Sequence, residues 1–224
     1  MEEDRKLLGM DLATASPEVI EVLLDDSSDP EVFDEVAHSN TGRPEVLQMV
    51  LEHPDTPDEV RQYITGLMKL PTAPEKKKRA EATPEARQES LVQRLQRLTV
   101  SARIQLALKG GREIRGILVR DSNKEVMLSV LENGKITESE VEMMAKSRQT
   151  LEEALRRIAR NRDWMKNYSV VQGLVSNPKT PAGIAVAHVS DLKTKDLVIL
   201  EKNKNVAEVV RSASKKLLQA RKPK

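Results

Sequence analysis

Pro17-Glu18-Val19, Pro30-Glu31-Val32, Pro44-Glu45-Val46 and the variant Pro57-Asp58-Glu59-Val60 repeat one phrase at offsets of 13, 14 and 13 residues. Proline suits the first position of a helix, where its missing N–H has no intrahelical partner, and an acidic neighbour favours the positive end of the helix dipole. A capping side chain stands immediately ahead of three of the prolines, at Ser16, Asp29 and Thr56; Arg43 before Pro44 is the exception. Behind each start an apolar pair falls at i and i+4: Val19 with Leu23, Val32 with Val36, Val46 with Val50, Val60 with Ile64. Turn-forming runs then stop each helix, at Asp25-Asp26-Ser27-Ser28, His38-Ser39-Asn40-Thr41-Gly42 and His53-Pro54-Asp55. Four short helices are predicted before residue 66. A period this short holds one helix and a turn, so each unit can bury its stripe only against its neighbours.

The same grammar resumes downstream in other words. Ser122-Asn123-Lys124-Glu125, Thr137-Glu138-Ser139-Glu140 and Thr150-Leu151-Glu152-Glu153 match the capping box, as does Thr56-Pro57-Asp58-Glu59. Apolar pairs follow, Val126 with Val130, Val141 with Ala145 and Ala154 with Ile158, and Thr180-Pro181 opens a further unit with Ile184, Ala185 and Val189 on its face. A final helix is predicted from about Val206 to Leu218, with Val206, Val209, Val210, Ala213, Leu217 and Leu218 as its apolar side. The best candidate for a strand, Ile117-Leu118-Val119, sits in a helical neighbourhood and reads as core. The expected fold is all-α: an α-solenoid of short antiparallel helices in two arrays. Residues 1–69 form the first and 89–224 the second, with a proline-containing charged linker over 70–88. Thr83-Pro84-Glu85 already signals a helix start ahead of Leu91, Leu95 and Leu98.

Charge divides the chain. Residues 1–70 carry 5 Lys and Arg against 17 Asp and Glu, a net −12, while residues 71–224 carry 32 against 18, a net +14. Such a basic half attracts a polyanion or an acidic protein surface. Two clusters stand out within it. Gly110-Gly111 ends one predicted helix, with Arg112 and Arg115 a turn apart on the next and Arg120 beyond, an arrangement able to meet an anion with N–H groups and guanidinium forks. It lacks the Gly-Lys-Ser/Thr ending of a Walker loop, and a Gly-Gly followed by Arg also reads as a plain helix corner. Arg156, Arg157, Arg160 and Arg162 form the second cluster, followed by Trp164, Lys166 and Tyr168. Arginine beside aromatic groups makes an anchor for a partner or a base, whereas Trp164 and Tyr168 at i and i+4 equally suit packing of a corner.

Catalytic and metal patterns are sparse. His38, His53 and His188 lie in different units, no His-Glu-x-x-His occurs, and there is no cysteine for a disulfide or thiolate site. The run from Asp25 to Glu31 fails as a calcium loop: proline stands where glycine is needed, and Val36 where the bidentate glutamate belongs. Glu138 and Glu142 are an i, i+4 pair expected to face water. No cofactor is expected. The acidic start Met1-Glu2-Glu3-Asp4 is unlike a secretory signal and no apolar run reaches membrane-spanning length, so the expectation is a cytoplasmic protein without membrane contact.

A resemblance adds to this reading. The half-units of 13 to 15 residues resemble leucine-rich-repeat-variant and HEAT-like α-solenoids. The segments Ala107-Leu108-Lys109-Gly110-Gly111-Arg112-Glu113, Ile117-Leu118-Val119-Arg120-Asp121, Asn161-Arg162-Asp163-Trp164-Met165-Lys166-Asn167-Tyr168 and Asn177-Pro178-Lys179-Thr180-Pro181 look like a group of bacterial helical-repeat proteins, over residues 89 to 218. The resemblance implies the helical-repeat fold. It carries over no catalytic residue from the HEAT-like glycosylases or lyases, and the iron-sulfur cluster of a variant-repeat protein needs cysteines absent here. The expected function is a non-catalytic scaffold for an unknown protein partner, with nucleic-acid binding through the basic array as the alternative. Arg112, Arg115, Arg120, Arg156, Arg157, Arg160, Arg162, Trp164, Lys166 and Tyr168 are the candidate binding residues.

Overall fold

Pro17, Pro30 and Pro44 each open a helix at its first residue, whereas Pro57 and Pro181 stand one place earlier, as the cap. In the computed structural model, which describes residues 12–27, 29–71, 74 and 84–221 (backbone only for 84–90), Ser16 accepts the Val19 N–H at 3.4 Å and Asp29 the Glu31 N–H at 3.1 Å. They open α1 (Pro17–Asp26) and α2 (Pro30–Ser39); α3 (Pro44–Glu52) starts at Arg43 with no side-chain cap. Then come α4 (Asp58–Leu67), α5 (Pro84–Arg97), α6 (Val100–Lys109) and α7 (Arg112–Leu118). Ile117-Leu118, expected in the core of a helical neighbourhood, is helical. Further on lie α8 (Lys124–Val130), α9 (Glu138–Lys146), α10 (Glu152–Arg160), α11 (Tyr168–Ser176), α12 (Ala182–Ala187), α13 (Thr194–Lys202) and α14 (Glu208–Ala220). Short 3-10 turns stand at Trp164–Lys166 and Val189–Asp191. Among the described residues there are 14 α-helices beside these 3-10 turns, and no strand.

The helices form two compact units. The first comprises residues 1–118 with 132–134, the second 119–131 with 135–224. Residues 72, 73 and 75–83 of the expected linker lie outside the described residues; α5 begins at Pro84, where its start signal stands. In the first unit α1 packs on α2, α3, α6 and α7, and α2 on α4; in the second, α8 packs on α10, α9 on α11, and α12 and α13 on α14. The paired apolar positions supply the cores: Val19, Leu23, Val36, Val50 and Ile64 are buried in the first unit, Val126, Val130, Val141, Ala154 and Ile158 in the second. Two expectations shift. Phe33 rather than Val32 fills the α2 core position, and Val209 lies on the exposed side of α14 while Val210 is buried.

Helices of about ten residues leave many terminal N–H and C=O groups without intrahelical partners, and the corners supply them. Ser27, His53, Asp121, Ser147, Asn161, Asn177 and Asn203, each just past a helix, accept the N–H two residues on at 2.7 to 3.2 Å. Two buried asparagines also reach to an earlier helix. Asn177 Nδ2 donates to the Ala145 and Ser147 carbonyls at 2.8 and 2.9 Å, closing the end of α9, and Asn133 Nδ2 donates to Ala107 and Gly110 at 2.9 and 3.1 Å, closing the end of α6.

Of the expected capping boxes only Thr137-Glu140 makes both of its bonds. Asn123, not Ser122, caps α8, because the Asp121 side chain already holds the Asn123 N–H and moves the start along by one residue. Thr56 and Thr150 are buried and turn inward, donating to the Val50 and Met144 carbonyls six residues back, so α4 and α10 start from Pro57 and Leu151 with no side-chain cap. Each of these carbonyls also accepts a backbone N–H, from His53 and Ser147, so the hydroxyl fills the second acceptor site of a buried C=O and leaves the helix-start N–H groups to water.

Asn177→Ala strands the buried Ala145 carbonyl and removes a second bond from Ser147, whose carbonyl keeps the Thr150 N–H, and is expected to cost about 1–3 kcal/mol. Asn203→Ala removes only its corner bond and is expected to cost about 1 kcal/mol or less. Urea unfolding followed by circular dichroism measures both; equal midpoints would show that the asparagine tie carries no weight.

Candidate functional site

The Gly-Gly corner in the first unit is full. A Cβ on Gly110 would meet the Leu106 carbonyl at 2.5 Å and Ile114 Cγ2 at 2.7 Å, and one on Gly111 would meet Asp26 Oδ2 at 2.6 Å. The Asp26 carboxylate, at the end of α1, lies against the Gly111 and Ile114 N–H groups, its oxygens shielded from water without closing a full hydrogen bond to either. An internal anion therefore already occupies the start of α7. Arg115, expected on the surface beside Arg112, is instead only 4% exposed: its side chain folds back over the corner and donates to the Gly110 carbonyl, five residues earlier, at 3.1 Å. Arg112 alone of this pair is exposed.

Burial pushes Asp26 up from 3.8 to about 6, against the two N–H groups that favour its charge. The folded protein thus binds this proton more tightly than the unfolded chain does, and the stability linked to Asp26 is greatest below about pH 4 and lost as the pH rises through about 6. Asp26→Asn is expected to stabilise the protein at pH 7 by about 1–2 kcal/mol, a gain that shrinks towards pH 4. Thermal melts at both pH values measure it; a loss of stability at pH 7 would contradict the reading.

In the second unit, α10 buries Ala154, Leu155 and Ile158 and turns Arg156, Arg157 and Arg160 outward. Much of that charge is engaged. Arg156 pairs with Glu152 at 2.6 Å and Lys124 with Glu153 at 2.8 Å, a contact that lowers the Glu153 carboxyl and raises the Lys124 amine. Lys166 pairs with Asp163 at 2.7 Å in open solvent, where such a pair contributes little. Arg160 and Arg162 are exposed and have no ion-pair partner among the described residues. Trp164 is half-buried in its 3-10 turn. Tyr168 points inward: its hydroxyl donates to Asp196 and accepts the Lys193 N–H at 3.0 Å, pinning the start of α13, and Lys193 Nζ lies 4.5 Å from its ring centre. Tyr168 is a packing residue.

Arg120 opens onto a different feature. A cleft of about 520 Å³ in the second unit is lined by Arg120, Ser139, Glu142, Met143, Lys146 and Gln149, among others. Ser139, Glu142, Met143 and Lys146 fall at i, i+3, i+4 and i+7, the outward face of α9. Lys146 is tied to Glu142 within that face. Arg120 has no ion-pair partner among the described residues, and Met143 is 44% exposed. A cationic group beside an exposed, adaptable thioether can receive a carboxylate and an apolar side chain together. These α9 residues lie outside the arginine clusters that charge singles out in the sequence; a methionine on the polar side of a helix is the signal that marks them.

The histidines do not converge. His38 contacts Asp34 at 3.2 Å and stacks on Tyr63, His188 contacts Asp191 at 2.9 Å, and His53 uses both ring nitrogens, Nδ1 accepting the Asp55 N–H and Nε2 donating to Asp25. No group of three potential metal ligands occurs among the described residues, and no described helix is long and apolar enough to cross a membrane. No family model matches the chain, and neither curated proteins nor solved structures match it.

Proposed function

We propose that the chain is a non-catalytic, cytoplasmic protein-interaction scaffold, an α-solenoid of short antiparallel helices that holds a partner segment in the cleft beside α9. The packing of α1 on α3, α2 on α4, α8 on α10 and α9 on α11 supports the solenoid reading, since helices two apart in sequence stack when a helical repeat builds layers. The observation that carries the binding reading is the exposed Met143 facing a cleft edged by Arg120, which has no ion-pair partner among the described residues. Partner helices and extended segments are held by such apolar anchors with a charged rim. Affinity capture from the native host with the full chain is expected to retain a stoichiometric protein. The Met143→Lys, Arg120→Glu double variant should lose it; the same proteins retained by both chains would sink the assignment.

A second reading, nucleic-acid binding, is favoured by one observation: Arg160 and Arg162, close in sequence to Trp164, are exposed and have no ion-pair partner among the described residues. It predicts a gel shift whose affinity falls steeply with salt, by a slope of about −0.7 to −0.9 per phosphate contacted, and which Arg160→Glu with Arg162→Glu removes. Absence of a shift even at low salt eliminates this reading.

A further inference from the structure

The helices α9, α11 and α13 end in the same way, each on a residue (Ser147, Asn177 and Asn203) whose side chain takes the N–H two residues on. Counting back from these caps aligns their outer faces: Met143, Gly173 and Ile199 are equivalent, as are Glu142, Gln172 and Val198, and Lys146, Ser176 and Lys202. The middle helix joins the other two. Gly173 lets α11 approach α9 so closely that a Cβ there would lie 2.9 Å from Lys146 Cγ, and Gln172 Nε2 donates to Asp196 of α13 at 3.1 Å, with Val171 and Val175 sharing a core with Leu197 and Leu200.

On α13 the outer face changes character. Leu197 and Leu200 are buried, whereas Ile199 is 66% and Val198 41% exposed. Lys195 and Lys202 complete the same stripe at i, i+3, i+4 and i+7, both exposed and both without an ion-pair partner among the described residues. Branched apolar groups so exposed on a helix that already buries its other side have no use in the core of this unit. Two lysines about 10 Å apart along the helix axis bracket them.

We propose that this face of α13, Lys195-Val198-Ile199-Lys202, docks an acidic amphipathic helix of a partner protein, with apolar side chains on Val198 and Ile199 and carboxylates about two turns apart on the lysines. The assignment rests on the scaffold reading and gives it a partner chemistry. Charge complementarity selects this occupant. A nucleic acid would reward the lysines but leave the apolar pair wet, and a lipid surface needs a far wider apolar face than two residues.

Fluorescence anisotropy with the full chain tests the proposal. The probe is a labelled 20-residue amphipathic helix with leucine on one face and glutamate flanking it, and the control is the same pattern with lysine. The leucine-glutamate peptide is expected to bind saturably and the lysine peptide at least tenfold more weakly. Ile199→Lys, at an exposed position, should weaken the first peptide at least tenfold with the helical circular dichroism unchanged, and Lys195→Glu with Lys202→Glu should reverse the preference. No binding by the wild type, equal binding by the Ile199→Lys variant, or displacement by an oligonucleotide that the variant binds more tightly would overturn the proposal. Concentration-dependent sedimentation of the unmodified chain that Ile199→Lys abolishes would overturn it in favour of a second copy. Peptide binding weakened by Met143→Lys but not by Ile199→Lys would leave the scaffold reading standing and remove α13 from it.

Discussion

Helices of nine or ten residues have little interior: about four N–H and four C=O groups at their ends lack intrahelical partners. Nearly everything in this chain answers that constraint. Proline and a short polar cap absorb the N-terminal donors at α1 and α2, and a side-chain oxygen just past each of several helices takes the N–H two residues on. Asn133 and Asn177 cross to earlier helices and close their carbonyls. Because such a helix is too short to be stable alone, its apolar stripe must be covered by neighbours. Capping and stripe burial together fix the rotation of each helix, and so decide which residues point outward. The outer faces of α9 and α13 are products of the corners that end them.

Unlike charges also do internal work. The acidic α1 and α2 meet basic helices of their own unit: Arg94 of α5 reaches Asp25 at 2.5 Å and Glu21 at 3.5 Å, and Lys109 of α6 reaches Glu35 at 3.3 Å. Asp26 meets the start of α7 as a fixed partial charge rather than a side chain. These contacts are partly exposed, so each is individually modest; their effect is orientation more than stability. They account for part of the contrast between the acidic N-terminal third and the basic remainder. In the second unit, Arg120, Arg160, Arg162, Lys195 and Lys202 have no ion-pair partner among the described residues, and the proposed acidic partner would meet them there.

The sequence made the helix starts legible wherever proline or a short polar residue marks them, as at Ser16, Asp29 and Thr137, because capping is local. It misplaced the caps near Ser122, Thr56 and Thr150, whose hydroxyls or neighbours are claimed by buried carbonyls or by a preceding turn, a competition decided only by the folded corner. The break between α5 and α6 at Thr99, and α13 as a whole, are not predicted. In α13 the run Leu197-Val198-Ile199-Leu200 has no helical polarity, since two of its four apolar residues serve the core and two face out. The candidate site was legible in its charge and illegible in its accessibility. Arg115 and Tyr168 have the chemistry of binding residues but are turned inward by Gly110 and Asp196. Met143 and Ile199 look like core residues in the string and are exposed by the rotation of their helices.

The outer faces of α9 and α13 are the surfaces proposed to receive a partner. Amide hydrogen exchange of the full chain, with and without its captured partner or the acidic amphipathic peptide, reads them out residue by residue. Slowed exchange concentrated in residues 138–146 and 194–202 is expected. Protection confined to residues 152–166, with the α9 and α13 amides unchanged, would contradict the proposal.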